Sequence, residues 1–193
     1  MKKIILGITG ASGSIYALRL LEILKDADVE VHIIPSKVGC EVFKYETDKE
    51  LIDVIKDVPQ FKIEKPDDFF SSIASGSYQS QQVSGMVILP CSVSTVGHIA
   101  NGISANLLHR AALVCLKEKI NLVMAVREMP LTSIDLQNLL TLSNNGATVL
   151  PLSPGFYHKP KTYDDIINFI VGKVLDSLKI ENDLYGRWKG TQN

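Results

Sequence analysis

Cysteine is scarce in this chain. Its three residues, Cys40, Cys91 and Cys115, are scattered without metal-type spacing. So sparse and odd a count gives no disulfide framework and fits a reducing cytoplasm. No pair of histidines and acids has zinc-type spacing either, so no metal site is expected. An excess of one charge is also missing. Twenty basic residues stand against twenty-one acidic ones, for a net charge of -1. That balance gives no support to nucleic-acid binding through a basic face. No apolar run approaches membrane-spanning length. Lys2 and Lys3 precede an apolar run too short for a signal peptide, so the start reads as a first strand. Internal repeats and low-complexity segments are absent as well. What remains is a chain of 193 residues, 46% hydrophobic and 21% charged. Those proportions fit a soluble globular protein whose single domain has a substantial core.

Apolar runs of strand length recur at about Lys3–Thr9, Val29–Pro35, Gly85–Pro90, Asn121–Val126 and Ala147–Leu152. Their Val, Ile and Leu content suits strands covered on both faces. Helical patterns lie between them, at about Ser14–Lys25, Lys37–Thr47, Val93–Ala100, Ala105–Glu118, Ser133–Asn144 and Tyr163–Leu178. Thr162 before Tyr163-Asp164-Asp165 reads as an N-cap with acids in the first turn. This alternation predicts an α/β fold, a three-layer, doubly wound parallel sheet. Residues 56–84 read as a loop-rich excursion. Residues 1–180 form the expected domain. Residues 181–193 are a polar tail with Leu184, Tyr185 and Trp188, either frayed or docked on a neighbour.

The first strand stops at Gly10-Ala11-Ser12-Gly13, and a helix starts at once. Such a turn offers backbone N–H groups and the positive end of a helix dipole to a phosphate, with the Ser12 hydroxyl beside it. It lacks the third glycine of a dinucleotide fingerprint and the Gly-Lys-Ser/Thr of a P-loop, so an unliganded βα turn is an equal reading. Other strand ends are polar too: Ser36-Lys37, then Ser92-Val93-Ser94-Thr95, Arg127-Glu128, and Ser153 through Tyr157 and Lys159. In an open parallel sheet these ends converge on one crevice. Each serine alone reads as an N-cap; the set together is harder to explain by capping.

Arg127-Glu128 reads either as a rim salt bridge or as a phosphate- or ring-binding arginine beside a proton-handling acid. Arg110 and Lys117, two turns apart on one predicted helix, fit a solvated face. Glu46, near a helix end, has the pattern of an exposed or capping acid. Cys91 suits a small core residue, His32 a packed or surface one, and His98 and His109 helix faces rather than ligands.

Taken in order, these segments resemble the flavin prenyltransferases of the UbiX/Pad family, once described as aromatic-acid decarboxylases. The matching pieces begin with Gly10 to Tyr16 and Arg19-Leu20-Leu21-Glu22, then Pro35-Ser36-Lys37, Glu46-Thr47-Asp48 and Ala74-Ser75-Gly76-Ser77. They continue with Met86 to Ser92, Asn106 to Ala112, Lys117-Glu118, Val126 to Leu131 and Pro154 to Pro160. Each piece is weak and the ordered set is specific.

The resemblance implies a Rossmann-like flavoprotein fold. It also implies transfer of the dimethylallyl group of dimethylallyl phosphate to N5 and C6 of reduced FMN, without a metal. The product, prenylated FMN, would serve a partner UbiD-type decarboxylase. Homo-oligomers, often dodecamers, with sites at subunit interfaces are implied too. By match to the family, Gly10, Ala11, Ser12 and Ser36 would contact the flavin, and Ser92, Val93, Ser94 and Thr95 its phosphate. Arg127 would lie between flavin and donor. Tyr157 and Lys173 would contact the donor phosphate, with Glu46, Arg110, Lys117 and Glu128 around it and Glu128 or Glu46 moving protons. Lys173 stands where the family carries arginine, so it keeps the charge without the bidentate fork. Leu113 replaces a frequent acid, and Phe69 a frequent tryptophan. Two alternatives share the fold. One is an FMN-dependent cysteine decarboxylase, which would need a histidine in the first helix. The other is a non-catalytic FMN carrier for a decarboxylase.

Overall fold

The computed structural model describes residues 2–187 and 190, so Trp188 lies outside the described residues. Six strands form the sheet: β1 (Lys2–Ile8), β2 (Val29–Pro35), β3 (Phe61–Ile63), β4 (Val83–Cys91), β5 (Leu122–Val126) and β6 (Thr148–Pro151). Their order is β3-β2-β1-β4-β5-β6, and all neighbours pair in parallel. The helices are α1 (Ser14–Leu24), α2 (Lys37–Thr47), α3 (Leu51–Ile55), α4 (Gly76–Gln82), α5 (Val93–Ala100), α6 (Leu107–Lys117), α7 (Ser133–Asn144) and α8 (Tyr163–Ser177).

The two-residue period of the strands sorts the core into two layers. Ile4, Leu6 and Ile8 of β1 join Val31 and Ile33 of β2 in a layer with Leu20 and Leu21 of α1, Phe43 of α2 and Val171 and Val174 of α8. Ile5 of β1 and Ile34 of β2 face the other layer, with Val96 of α5, Leu108 and Ala111 of α6 and Leu142 of α7. Burial on both faces explains why these strands read as continuous apolar runs. This is the expected three-layer, doubly wound sheet. The chain leaves β1 toward β2 on one side and later returns to β4 on the other. The switch point therefore lies between β1 and β4, where open α/β sheets hold their ligands.

The excursion at 56–84 is more regular than its sequence suggests. It contains the edge strand β3, a 3-10 turn at Ser72–Ala74 and α4. Only three residues pair in β3, and two of them are exposed. α4, Gly-Ser-Tyr-Gln-Ser-Gln-Gln, has no apolar stripe. Neither leaves a periodic hydrophobic signal. The tail docks on its own α8: Asp176 accepts from the Tyr185 hydroxyl at 2.6 Å and from Arg187 Nη2 at 2.7 Å.

One close approach sets the angle between β1 and α2. A Cβ on Gly39 would sit 2.5 Å from the Ile8 carbonyl oxygen and 3.0 Å from Ser36 Oγ. That carbonyl already accepts the Ser36 N–H at 2.8 Å and has no room to retreat. Gly39→Ala is therefore expected to destabilise the protein by about 1–3 kcal/mol. A lowered urea midpoint at unchanged m value would report it.

Candidate active site

Thr9, 2% exposed, ties the switch point together. Its hydroxyl donates to the Pro90 carbonyl at 2.7 Å and accepts the Ser92 N–H at 3.0 Å. The ends of β1 and β4 are thus fixed relative to each other, and the turns that follow them share one edge.

The turn after β1 departs from its expected use. Gly13 takes φ +116°, which glycine adopts without strain, and caps α1 with no side chain. The Gly13 and Ser14 N–H groups are not open to a phosphate. They donate to Glu46 Oε2 at 2.9 and 2.7 Å. Glu46, from the last turn of α2, therefore caps the start of α1 instead of lying in solvent. Burial opposes its ionisation, but hydrogen bonds from the Ser12 hydroxyl and the two N–H groups outweigh burial and hold its carboxyl below the ordinary value. Both backbone bonds end on Oε2.

Arg127 follows β5, anchored by its N–H to the Cys91 carbonyl at 3.2 Å. Its side chain reaches a hollow of about 400 Å³ lined by Ser12, Gly13, Tyr16, Glu46, Leu152 and Tyr163. Among the described residues its Nε is buried and without a hydrogen-bond partner. Its Nη1 is 3.8 Å from Glu128 Oε1, a loose pair. Glu128 faces a neighbouring hollow on the far side of Arg127 and Leu152, and its Oε1 accepts the Met129 N–H at 3.0 Å.

The polar ends of β2 and β4 are caps, as each serine alone suggests. Ser36 Oγ accepts the Gly39 N–H at 2.9 Å, and Ser92 Oγ accepts the Thr95 N–H at 3.3 Å. A helix's first N–H groups lack intrahelical partners. With α1 closed by Glu46, the start of α5 at Val93 and Ser94 is the dipole end at the switch point that can still receive an anion.

A family model described as Flavoprotein matches residues 1–175. The flavin prenyltransferase UbiX of Methanocaldococcus jannaschii is 50% identical over 186 residues, covering 96% of this chain and 98% of that protein. The chain belongs to the UbiX family of flavin prenyltransferases. Among solved structures, AnUbiX (PadA1) in complex with FMN and dimethylallyl pyrophosphate superposes with a TM-score of 0.92 at 33% identity, covering 99% of both chains. A dodecameric FMN-dependent Ubix-like decarboxylase from Escherichia coli O157:H7 superposes with a TM-score of 0.91 at 38% identity, covering 97% of this chain and 100% of that one.

Measured against the UbiX-family match, the chain brings Ser12, Glu46 and Arg127 together, with Gly10 and Ala11 in the same turn. It does not bring the four expected donor-phosphate residues to that hollow. Arg110 Nε donates to the Ala74 carbonyl at 3.0 Å, and Lys117 pairs with Glu118 at 2.9 Å, both on α6 beneath the opposite face of the sheet. Tyr157, 86% exposed, lines a separate hollow of about 470 Å³ with Lys159, Lys161 and Arg187. Lys173 is exposed on α8. Beyond the Gly10–Gly13 turn, four lining residues of the hollow, Ile15, Tyr16, Leu152 and Tyr163, are not among those the sequence points to. The signal for Tyr16 is its place in the first turn of α1, directly after the Gly-Ser turn. His98 and His109 stack at 4.7 Å, and burial followed by the charge of His98 pushes His109 down to about 4, so it is neutral.

The residues present suit a flavin phosphate and ring. The start of α5 offers N–H groups and hydroxyls, and the Arg127 Nε, orphaned among the described residues, is a donor in want of an acceptor.

Proposed function

We propose that the chain transfers the dimethylallyl group of dimethylallyl phosphate to N5 and C6 of reduced FMN, in the hollow shared by Ser12, Glu46 and Arg127. The observation that carries this reading is the convergence of the β1–α1 turn, the end of α2 and the end of β5 on one cavity. When bound, reduced FMN supplies the electron-rich ring that accepts the C5 unit. The chain's own residues do the rest. Gly10, Ala11, Ser12 and Ser36 hold the ring, and Ser92, Val93, Ser94 and Thr95 hold its phosphate. Arg127 offers preplaced donors to the departing phosphate oxygen, worth on the order of 3 kcal/mol of barrier per donor. Glu46 is the acid that accepts a proton, with Glu128 as the second acid nearby. Tyr16, Leu152 and Tyr163 line the hollow. Anaerobic incubation with reduced FMN and either dimethylallyl phosphate or the pyrophosphate is expected to add one C5 unit to the flavin by mass. A folded sample that adds none with either donor overturns the reading.

Arg110, Lys117, Tyr157 and Lys173 are proposed to reach the donor phosphate in a homo-oligomer, a dodecamer by likeness to the Escherichia coli structure, as residues of neighbouring copies. Leu136 and Leu140 of α7 support that assembly: they lie one turn apart and are 55% and 53% exposed. Leu140→Glu is expected to reduce the assembled mass in light scattering and to lower activity with it; an unchanged mass would count against this face. We assign the chain to the cytoplasm and its product to a UbiD-type decarboxylase. Three free thiols fit a reducing compartment. Among the described residues no helix is long and apolar enough to cross a membrane.

A further inference from the structure

The loop between β6 and α8 carries Tyr157, and its own backbone bonds are local. Ser153 N–H donates to the Pro151 carbonyl at 2.7 Å, and Lys159 N–H to the Phe156 carbonyl at 3.0 Å. Its far end is tied at the start of α8, where Asp165 accepts the Lys161 and Thr162 N–H groups at 2.8 and 3.0 Å. The middle of the loop is seated on a ring. His158 stacks on Phe169 of α8, with centroids 5.1 Å apart and planes 2° from parallel. Among the described residues neither His158 nitrogen has a hydrogen-bond partner, so stacking is what places that ring. Gly155 lies against the same phenyl group: a Cβ there would meet Phe169 Cζ at 2.9 Å.

Phe169 is held in turn from the tail. Tyr185 meets it in a T-shaped contact at 5.1 Å. Tyr185 can lie close to α8 because residue 172 is glycine; a Cβ there would sit 2.5 Å from Tyr185 Cδ1. Asp176 pins the tail in that place. Its Oδ2 accepts the Tyr185 hydroxyl at 2.6 Å and Arg187 Nη1 at 3.1 Å. Its Oδ1 accepts Arg187 Nη2 at 2.7 Å and Asn182 Nδ2 at 2.9 Å. Against burial, the Arg187 hydrogen bonds first, then those of Tyr185 and Asn182, hold the Asp176 carboxyl down to about 2. A bidentate arginine with two further donors on one carboxylate is a fixed geometry, unlike a lone surface ion pair.

The contacts therefore run from Asp176 through Tyr185 and Phe169 to His158, and end beside Tyr157. Loop and tail face each other across the hollow of about 470 Å³. We propose that Asp176 is a positioning residue: it locks 182–187 onto α8 and, through the three rings, sets the loop that presents Tyr157 to the donor phosphate. The Tyr157 leg rests on the prenyl-transfer reading; the lock on the loop does not. The tail thus serves as the back support of a loop whose own backbone bonds reach no further than its neighbours.

Hydrogen exchange by mass spectrometry on the full-length protein, without flavin or donor, tests the lock. Peptides covering 153–162 contain the bonded amides of Lys159, Lys161 and Thr162. In Asp176→Ala they are expected to exchange roughly tenfold faster, the effect of losing one good aromatic contact. Peptides from β5 serve as the unchanging reference. Tyr185→Leu, at a half-buried tail position, is expected to do the same, and Tyr185→Phe, which keeps the ring and loses the hydroxyl, to fall between. Unchanged exchange over 153–162 in Tyr185→Leu, or in Asp176→Ala while the tail peptide speeds up, overturns the lock. In the prenylation assay Asp176→Ala and Tyr157→Phe are each expected to raise the donor KM roughly tenfold with FMN affinity unchanged. The double variant is expected to match Tyr157→Phe alone, because Asp176 acts through that hydroxyl. Effects that multiply, as a general structural loss would give, overturn the Tyr157 leg, as does a Tyr157→Phe variant with unaltered KM. No product from the unaltered protein overturns the prenyl-transfer reading and leaves the lock to the exchange result.

Discussion

Arg127→Ala is expected to lower the rate of flavin prenylation by about 10²–10³-fold while FMN still binds. The side chain is poised and underused. Among the described residues its Nε is buried without a partner, and its one ion pair is the 3.8 Å contact to Glu128. A donor kept dry and unpaired costs stability unless something fills its demand. A phosphate oxygen that gains charge as its C–O bond breaks would do so, and more strongly at the transition state than before it. The loss should therefore appear in kcat as well as in kcat/KM. The strand end does not depend on the guanidinium. The Arg127 N–H is held by the Cys91 carbonyl and the Leu152 N–H by the Val126 carbonyl, so the variant is expected to fold. Arg127→Lys keeps the charge and loses the fork, and an intermediate loss of about tenfold is expected. Single-turnover product formation, with FMN binding measured in parallel, decides the matter. A rate for Arg127→Ala within about threefold of the unaltered protein would remove Arg127 from the chemistry, since oxyanion-type donors are worth far more than that.

What the sequence disclosed depended on how each feature is encoded. β2 and α2 match their expected bounds because a strand buried on both faces reads as a continuous apolar run and an amphipathic helix repeats its period over several turns. The three-residue β3 and the polar α4 carry no such period, so they read as loop. Caps were legible for a similar reason. Thr162 forms its expected box with Asp165 because both ends of that interaction lie within one helical turn. Glu46 is the opposite case. Its partners, Gly13 and Ser14, come from a different βα unit, and nothing local in Tyr45-Glu46-Thr47 announces that it closes the start of α1. The same limit hid the contact between His32 and Glu64. Alternation placed that residue on one face of β2, while the carboxylate that fixes it comes from the exit of an edge strand too short to recognise.

Glu46→Gln carries the second large expected effect, because one carboxylate serves structure and chemistry together. As a cap it neutralises the positive end of α1 and takes two N–H groups on Oε2. As the proposed base it is ionised at neutral pH, its pKa being lowered, and so able to accept a proton. An amide can accept through its carbonyl oxygen but brings no charge and no basic oxygen. Prenylated-flavin formation is expected to fall about 10²–10³-fold, within the range for loss of a general base. Stability is expected to fall by about 1–3 kcal/mol, as for hydrogen bonds to a charged acceptor. Glu46→Asp, shorter but ionised, is expected to recover part of the activity. Glu128→Gln is expected to lose less than Glu46→Gln, since Glu128 faces the neighbouring hollow. The pH dependence separates the two roles of Glu46. A carboxyl whose folded pKa lies below the unfolded value adds stability above the unfolded pKa and loses it as pH falls through the folded one. The unaltered protein is therefore expected to lose stability on acidification below about pH 4.5, the ordinary value for this carboxyl, more steeply than Glu46→Gln does. Parallel urea midpoints across that range would show that Glu46 does not cap α1. Equal prenylation by Glu46→Gln and the unaltered protein would pass the proton-accepting role to Glu128.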